Sequence, residues 1–210
     1  NAGMEKAAKE MNVKTVILSP DTETDKKIQK KMIRDLLKMK VDALAVSPID
    51  SNDNRDYYLQ AQELGIPVYS YDTPIADVEV PYIGIDNEKV GYELAGALAE
   101  KMGHKGNIAI IAGSREQTSH EKRIAGFEKY MEQEPDIHIE VEKSGYSNLR
   151  VSEQEMEEIQ SNYPDLDGIM TTSAVTALGL AEATKGSGIY IASVDDQEDA
   201  IRAVEERRHY

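Results

Sequence analysis

Two apolar runs in this chain of 210 residues end in a carboxylate. Ile66-Pro67-Val68-Tyr69-Ser70-Tyr71 leads into Asp72, with Gly65 behind and Pro74 ahead. Ile189-Tyr190-Ile191-Ala192-Ser193-Val194 leads into Asp195. Short apolar runs that alternate with polar residues and sit between turn formers read as buried strands. In open α/β sheets, ligands bind in the crevice outside the carboxyl ends of the strands. Two acid-tipped strands in opposite halves of the chain therefore point to two similar lobes facing one ligand. The alternative at either position is an Asp that caps the following helix or turn.

Three more stretches carry polar groups at strand ends. Gly113-Ser114-Arg115-Glu116-Gln117-Thr118-Ser119-His120-Glu121-Lys122-Arg123-Ile124-Ala125-Gly126-Phe127 joins a strand to a helix and places Arg123 about one turn into that helix. The planar guanidinium fork can donate to two adjacent sugar hydroxyls or to a carboxylate; the plainer role is a surface ion pair with Glu121 or Glu128. In Ser144-Gly145-Tyr146-Ser147, Tyr146 is placed to lie against the C–H face of a sugar ring, or to be one rim tyrosine among 11. Thr171-Thr172-Ser173 offers hydroxyls at a third strand end, with capping of the next helix as the stronger alternative.

Other chemistry is missing. His104, His120, His138 and His209 show no i, i+4 pairing, so no zinc site is expected. No dinucleotide fingerprint, phosphate loop or nucleophile elbow is present, and no nucleophile is paired with a base. The sequence predicts no enzyme, no metal and no cofactor. With 39 Asp+Glu against 24 Lys+Arg the net charge is −15, which repels phosphate backbones and argues against nucleic acid. Zero cysteines exclude disulfides and thiolate chemistry. No apolar run is long enough to cross a bilayer, and no signal-peptide pattern opens the chain.

The elements that must hold these groups alternate. Strands are expected at 13–18, 42–47, 66–72, 82–86, 107–112, 137–143, 167–171 and 189–194. Helices are expected at 3–11, 24–40, 51–64, 87–102, 119–133, 151–163, 174–185 and 198–207. Such alternation means βαβ units and a largely parallel sheet. The fold class is α/β, two doubly wound lobes, with the break at Gly103-His104-Lys105-Gly106 dividing 1–103 from 104–210. The chain opens inside a helix and stops just after one, at Arg207-Arg208-His209-Tyr210, and so reads as a piece of a longer protein.

The order of these elements, together with Ala45-Val46-Ser47-Pro48-Ile49-Asp50, Gly65-Ile66-Pro67-Val68, Tyr71-Asp72, Ile85-Asp86-Asn87, Arg123-Ile124-Ala125-Gly126-Phe127, Tyr163-Pro164-Asp165 and Ser193-Val194-Asp195, resembles the type I periplasmic sugar-binding proteins of the ribose-binding group. These are related to the effector-binding cores of LacI-type repressors. The resemblance implies two hinged lobes closing on a monosaccharide. Asp72, Arg123 and Asp195 would bond its hydroxyls, and Tyr146 would take the stacking position. Thr73 and Ser173 stand where ribose binders carry an arginine and an asparagine, which points to another hydroxyl pattern. The family's opening strand and closing segment have no counterpart here, and each would supply ligand contacts or a crossover.

The implied role is a solute-binding protein for a monosaccharide or similar polyol. It would act outside the cytoplasm, with an ABC permease or a sensor as partner and no membrane insertion of its own. The alternatives are the effector core of a LacI-type regulator, which would need a helix-turn-helix headpiece, and a non-sugar ligand such as a furanosyl signalling molecule.

Overall fold

The computed structural model describes residues 2–207; Asn1, Arg208, His209 and Tyr210, which the sequence reading used at the two ends, lie outside the described residues. In chain order the elements are α1 (Ala2–Met11), α2 (Lys26–Lys38), β1 (Leu44–Val46), α3 (Arg55–Glu63), β2 (Val68–Tyr71), β3 (Tyr82–Ile83), α4 (Asn87–Met102) and β4 (Gly106–Ala112). Then follow α5 (Thr118–Met131), β5 (Ile137–Ser144), α6 (Leu149–Asn162), β6 (Leu166–Thr171), α7 (Ala174–Ala183), β7 (Tyr190–Ala192) and α8 (Glu198–Arg207). Among the described residues two sheets form, ordered β1-β2-β3 and β5-β4-β6-β7. Every pairing is parallel, as the alternation of strands and helices requires.

Each sheet has its own core. Leu44, Val46 and Val68 pack with Ile33 and Leu37 of α2 and with Tyr58 and Ala61 of α3. The second sheet is covered on both faces, and β4 shows why its sequence is apolar throughout. Ile108, Ile110 and Ala112 face α4 and α5, while Ala109 and Ile111 face α6 and α7. A strand buried on both sides carries no polar alternation.

Two expectations are corrected. Val13 to Leu18 is strand-like in composition yet forms no strand, and Val13, Val16 and Leu18 stay exposed. A strand exists only through pairing, and β1, the nearest edge, pairs with β2 alone. A cavity of about 350 Å³ lies where Leu18 to Glu23 run beside β1, with Met32, Ile33 and Leu36 of α2 also lining it. The division between lobes also moves. Ala95, Leu98 and Ala99 of α4 belong to the core that holds Ile108 and Phe127. The passage between packing units therefore falls at Ile83 to Asp86 and not at Gly103 to Gly106. The first unit ends with β3 and the second runs from α4 to α8.

α4 meets α5 through reciprocal glycines. A Cβ on Gly91 would overlap the Arg123 carbonyl oxygen, and one on Gly126 would overlap the Glu88 carbonyl oxygen. The two backbones touch there because neither glycine carries a side chain. Forcing atoms into such a contact costs about 3 kcal/mol. Gly126→Ala is expected to lower the unfolding free energy in urea by that amount, through a lower midpoint at an unchanged m-value; a loss under about 0.5 kcal/mol would show that the helices part freely.

Candidate functional site

Both acid tips bend the same way. Asp72 follows β2 with φ +58° and Asp195 follows β7 with φ +80°. A non-glycine residue in this left-handed region costs on the order of 1 kcal/mol. Both side chains are exposed. Neither caps the helix that follows it. Asp72 Oδ2 lies 3.4 Å from the hydroxyls of Ser47 and Thr73. Asp195 Oδ2 accepts at 3.2 Å from the Ala174 N–H, the first amide of α7, where the helix dipole favours an anion.

Arg123 ties α4 to the end of β6. It is 4 % exposed, so the surface ion pair considered for it is absent. Its Nε donates to Asn87 Oδ1 at 2.8 Å, and its Nη1 donates to the Thr172 carbonyl at 2.7 Å. Asn87 in turn donates from Nδ2 to the Tyr82 hydroxyl at 3.3 Å, and that hydroxyl donates to the Asp72 carbonyl at 2.9 Å. A continuous polar chain thus runs Asp72–Tyr82–Asn87–Arg123–Thr172, one peptide short of Ser173 and Ala174, where Asp195 is held. Burial, with the charge of Asp72 adding to it, raises the Tyr82 phenol above its ordinary range, so the hydroxyl stays a donor.

The other expected residues divide. Thr73 is fully buried and faces the second unit: its hydroxyl lies 2.9 Å from the Ser119 hydroxyl and 3.2 Å from Gln117 Oε1. Ser173 caps α7, accepting from the Thr176 N–H at 3.3 Å, the alternative favoured for it in sequence. Tyr146 is 46 % exposed with φ +50° and stands apart from the chain of hydrogen bonds. It lines a second cavity with Arg115, Glu142, Lys143, Ser144 and Glu155. None of Asp72, Tyr82, Asn87, Arg123, Thr172 and Asp195 lines either cavity.

Sequence reasoning missed Tyr82 and the role of Asn87. The signal available was Asp86-Asn87 at a helix start, where Asp86 accepts from the Lys89 N–H. It also missed His120, 5 % exposed, which packs against Gly113 and leaves Nδ1 without a partner. Burial pushes the imidazole down to about 4, and the Arg123 charge beside it works the same way.

Parallel sheets with acids at two strand tips and a buried arginine at a neighbouring strand end place polar groups where open α/β sheets bind ligands. A family model described as a periplasmic binding protein domain matches residues 1–208, and the chain belongs to that family. It is 27 % identical over 209 residues to the ribose import binding protein of Bacillus subtilis, covering 98 % of this chain and 67 % of that one. Of three further curated relatives it spans 54–60 % of the length. Its structure is similar to an ABC transporter periplasmic solute-binding protein of Actinobacillus succinogenes with bound D-allose (TM-score 0.90, 26 % identity, 99 % of this chain and 76 % of that one). It is also similar to an ABC transporter solute-binding protein of Burkholderia graminis in complex with D-arabinose (TM-score 0.91, 25 % identity, 97 % and 73 %).

Two outcomes follow. Asn87→Ala leaves a buried guanidinium nitrogen without its acceptor and is expected to destabilise by roughly 2 kcal/mol in urea unfolding; no change would mean that water replaces the amide. His120 binds its proton less tightly folded than unfolded, so its contribution is present above about pH 6.5 and is lost as pH falls towards 4. Over that window it amounts to roughly 3 kcal/mol. Glu23, which burial pushes up, acts with the opposite sign, so the measurement compares parent with His120→Gln. The variant is expected to show a flatter loss of stability from pH 6.5 to 4.5, and identical slopes would remove His120 from the titration.

Proposed function

We propose that this chain binds a monosaccharide or a similar polyol between its two units, as the solute-binding part of an ABC importer or an extracytoplasmic sensor. One observation carries the reading: the Asp72 and Asp195 carboxylates stand exposed on strand tips of the two units, and the buried Arg123 bonds the Thr172 carbonyl at a third strand end and, through Asn87 and Tyr82, the backbone at Asp72. A neutral polyol exchanges water for hydrogen bonds to charged groups, each worth roughly 1.5–3 kcal/mol. Asp72 and Asp195 accept from hydroxyls. Arg123 has two of its five donors committed to protein, which in this reading leaves three for a pair of sugar oxygens.

Selectivity comes from the same charges, because a ligand lacking a matching hydroxyl leaves one unpaired. Thr73 acts in this reading as a contact between the units, and Ser173 acts through α7. Since contacts come from both units, a bound ligand favours the form in which they are together. That form is what a permease or sensor would recognise outside the cytoplasm. Membership of the periplasmic binding protein family supports binding without catalysis, and the sugar-bound similar structures favour it over the effector core of a LacI-type regulator.

The test is calorimetry of the chain with D-ribose, D-allose and D-arabinose beside a thermal-shift panel of other neutral sugars and polyols. Saturable binding to at least one is expected. Asp72→Asn and Asp195→Asn should each weaken it roughly tenfold or more, the equivalent of one charged hydrogen bond. Silence across the whole panel, or unchanged affinity in both variants, would sink the reading.

A further inference from the structure

The stretch from Ser19 to Asp25 carries a carboxylate of the first unit into the second. Glu23 Oε1 accepts from the Ser114 N–H at 3.0 Å, and Oε2 accepts from Gln117 Nε2 at 3.2 Å. The Ser147 hydroxyl also favours the ionised carboxylate, and His120 Nε2 stands 3.9 Å from Oε2. The Glu23 side chain is 17 % exposed. The groups that receive it come from two strand-end loops of the second unit, one after β4 and one after β5. No residue in the network of Asp72, Arg123 and Asp195 bonds to it.

The neighbourhood explains why one carboxylate matters. Ser51 and Thr118 join their hydroxyls across the same junction at 2.9 Å, and Thr73 meets Ser119. Those are neutral hydroxyl pairs, weaker than hydrogen bonds to a charged group. Lys26, three residues after Glu23, reaches Glu116 at 2.6 Å, but that ion pair is exposed and weak. Glu23 instead brings a charge into a place with little water, where donors from the opposite unit must satisfy it. Burial pushes its carboxyl up, and Ser147, Ser114 and Gln117 offset only part of that.

We propose that Glu23 is the latch between the two units and sets how readily the chain closes before any sugar is bound. This rests on the reading of a two-unit binder, and it adds a residue outside the sugar network that tunes the affinity of that network. A latch that populates the closed form raises apparent affinity by the fraction it populates.

The chain has no cysteine, so Glu63→Cys and Lys185→Cys, exposed positions on the two units, place spin labels without competing thiols. Distances between them are measured by double electron–electron resonance without ligand and with a saturating sugar from the panel above. Glu23→Ala is expected to move the ligand-free distribution to longer separations, with the short-to-long ratio falling roughly tenfold or more, the factor for losing one or more charged hydrogen bonds. Ser147→Ala should shift it the same way by less, and should add nothing on top of Glu23→Ala, because both remove one shared contact.

Should Glu23→Ala fail to fold, as judged by circular dichroism, Glu23→Gln and Ser147→Ala carry the measurement, with intermediate shifts expected. Distributions identical to the parent in these variants would overturn the latch. If sugar still shortens the distances in that case, the latch alone fails and the binding role stands. A single fixed separation that neither sugar nor variant alters overturns both.

Discussion

A guanidinium taken out of water must be given acceptors, because an unpaired buried charge costs more than most single contacts return. Arg123 is in that position, and much of the candidate site can be understood as what it requires. Its acceptors are the Asn87 amide on α4 and the Thr172 carbonyl at the end of β6. They come from different elements, so α4, α5 and the sheet must hold a set distance from one another. The glycine contacts of α4 with α5 hold it: Gly91 sits on the Arg123 carbonyl itself. A methyl group there would move the cation before it touched anything in the site. The neighbouring imidazole is held neutral by the same burial, which spares Arg123 a second positive charge.

The acid tips illustrate a second constraint. A parallel strand that ends at the crevice must turn its chain away while keeping its last side chain at the edge. At both tips this is done by one Asp in the left-handed region. Asp tolerates that conformation better than most residues, so the backbone requirement and the chemical one fall on the same residue. Backbone strain at such positions is common where a side chain has to be presented. The helix start at Ala174 then holds one of the two carboxylates in place.

Much of this was legible beforehand. Helix α4 matches its expected range because Asp86 caps one end and Gly103, with φ +67°, closes the other. The parallel sheets follow from apolar runs separated by amphipathic helices. The failures have causes that lie outside local sequence. Val13 to Leu18 has every local mark of a strand and no partner to pair with. Glycines 103 and 106 marked a true break in the chain but not the break between packing units, since packing depends on which face of α4 is covered. Tyr82 and Glu23 gave no signal, being ordinary residues in loops or short strands until the fold surrounds them.

What the linear chain settled is therefore what acts over a few residues: element types, helix ends, and the acids at strand tips, because periodicity, capping and turn chemistry are local. What needed three dimensions is which groups share burial. Arg123 became an internal tie instead of a surface ion pair, Thr73 a buried contact between units, and Glu23 a charge lodged in the opposite unit. Burial depends on residues far apart in the chain, and it is burial that decides whether a charge meets water or must find a partner.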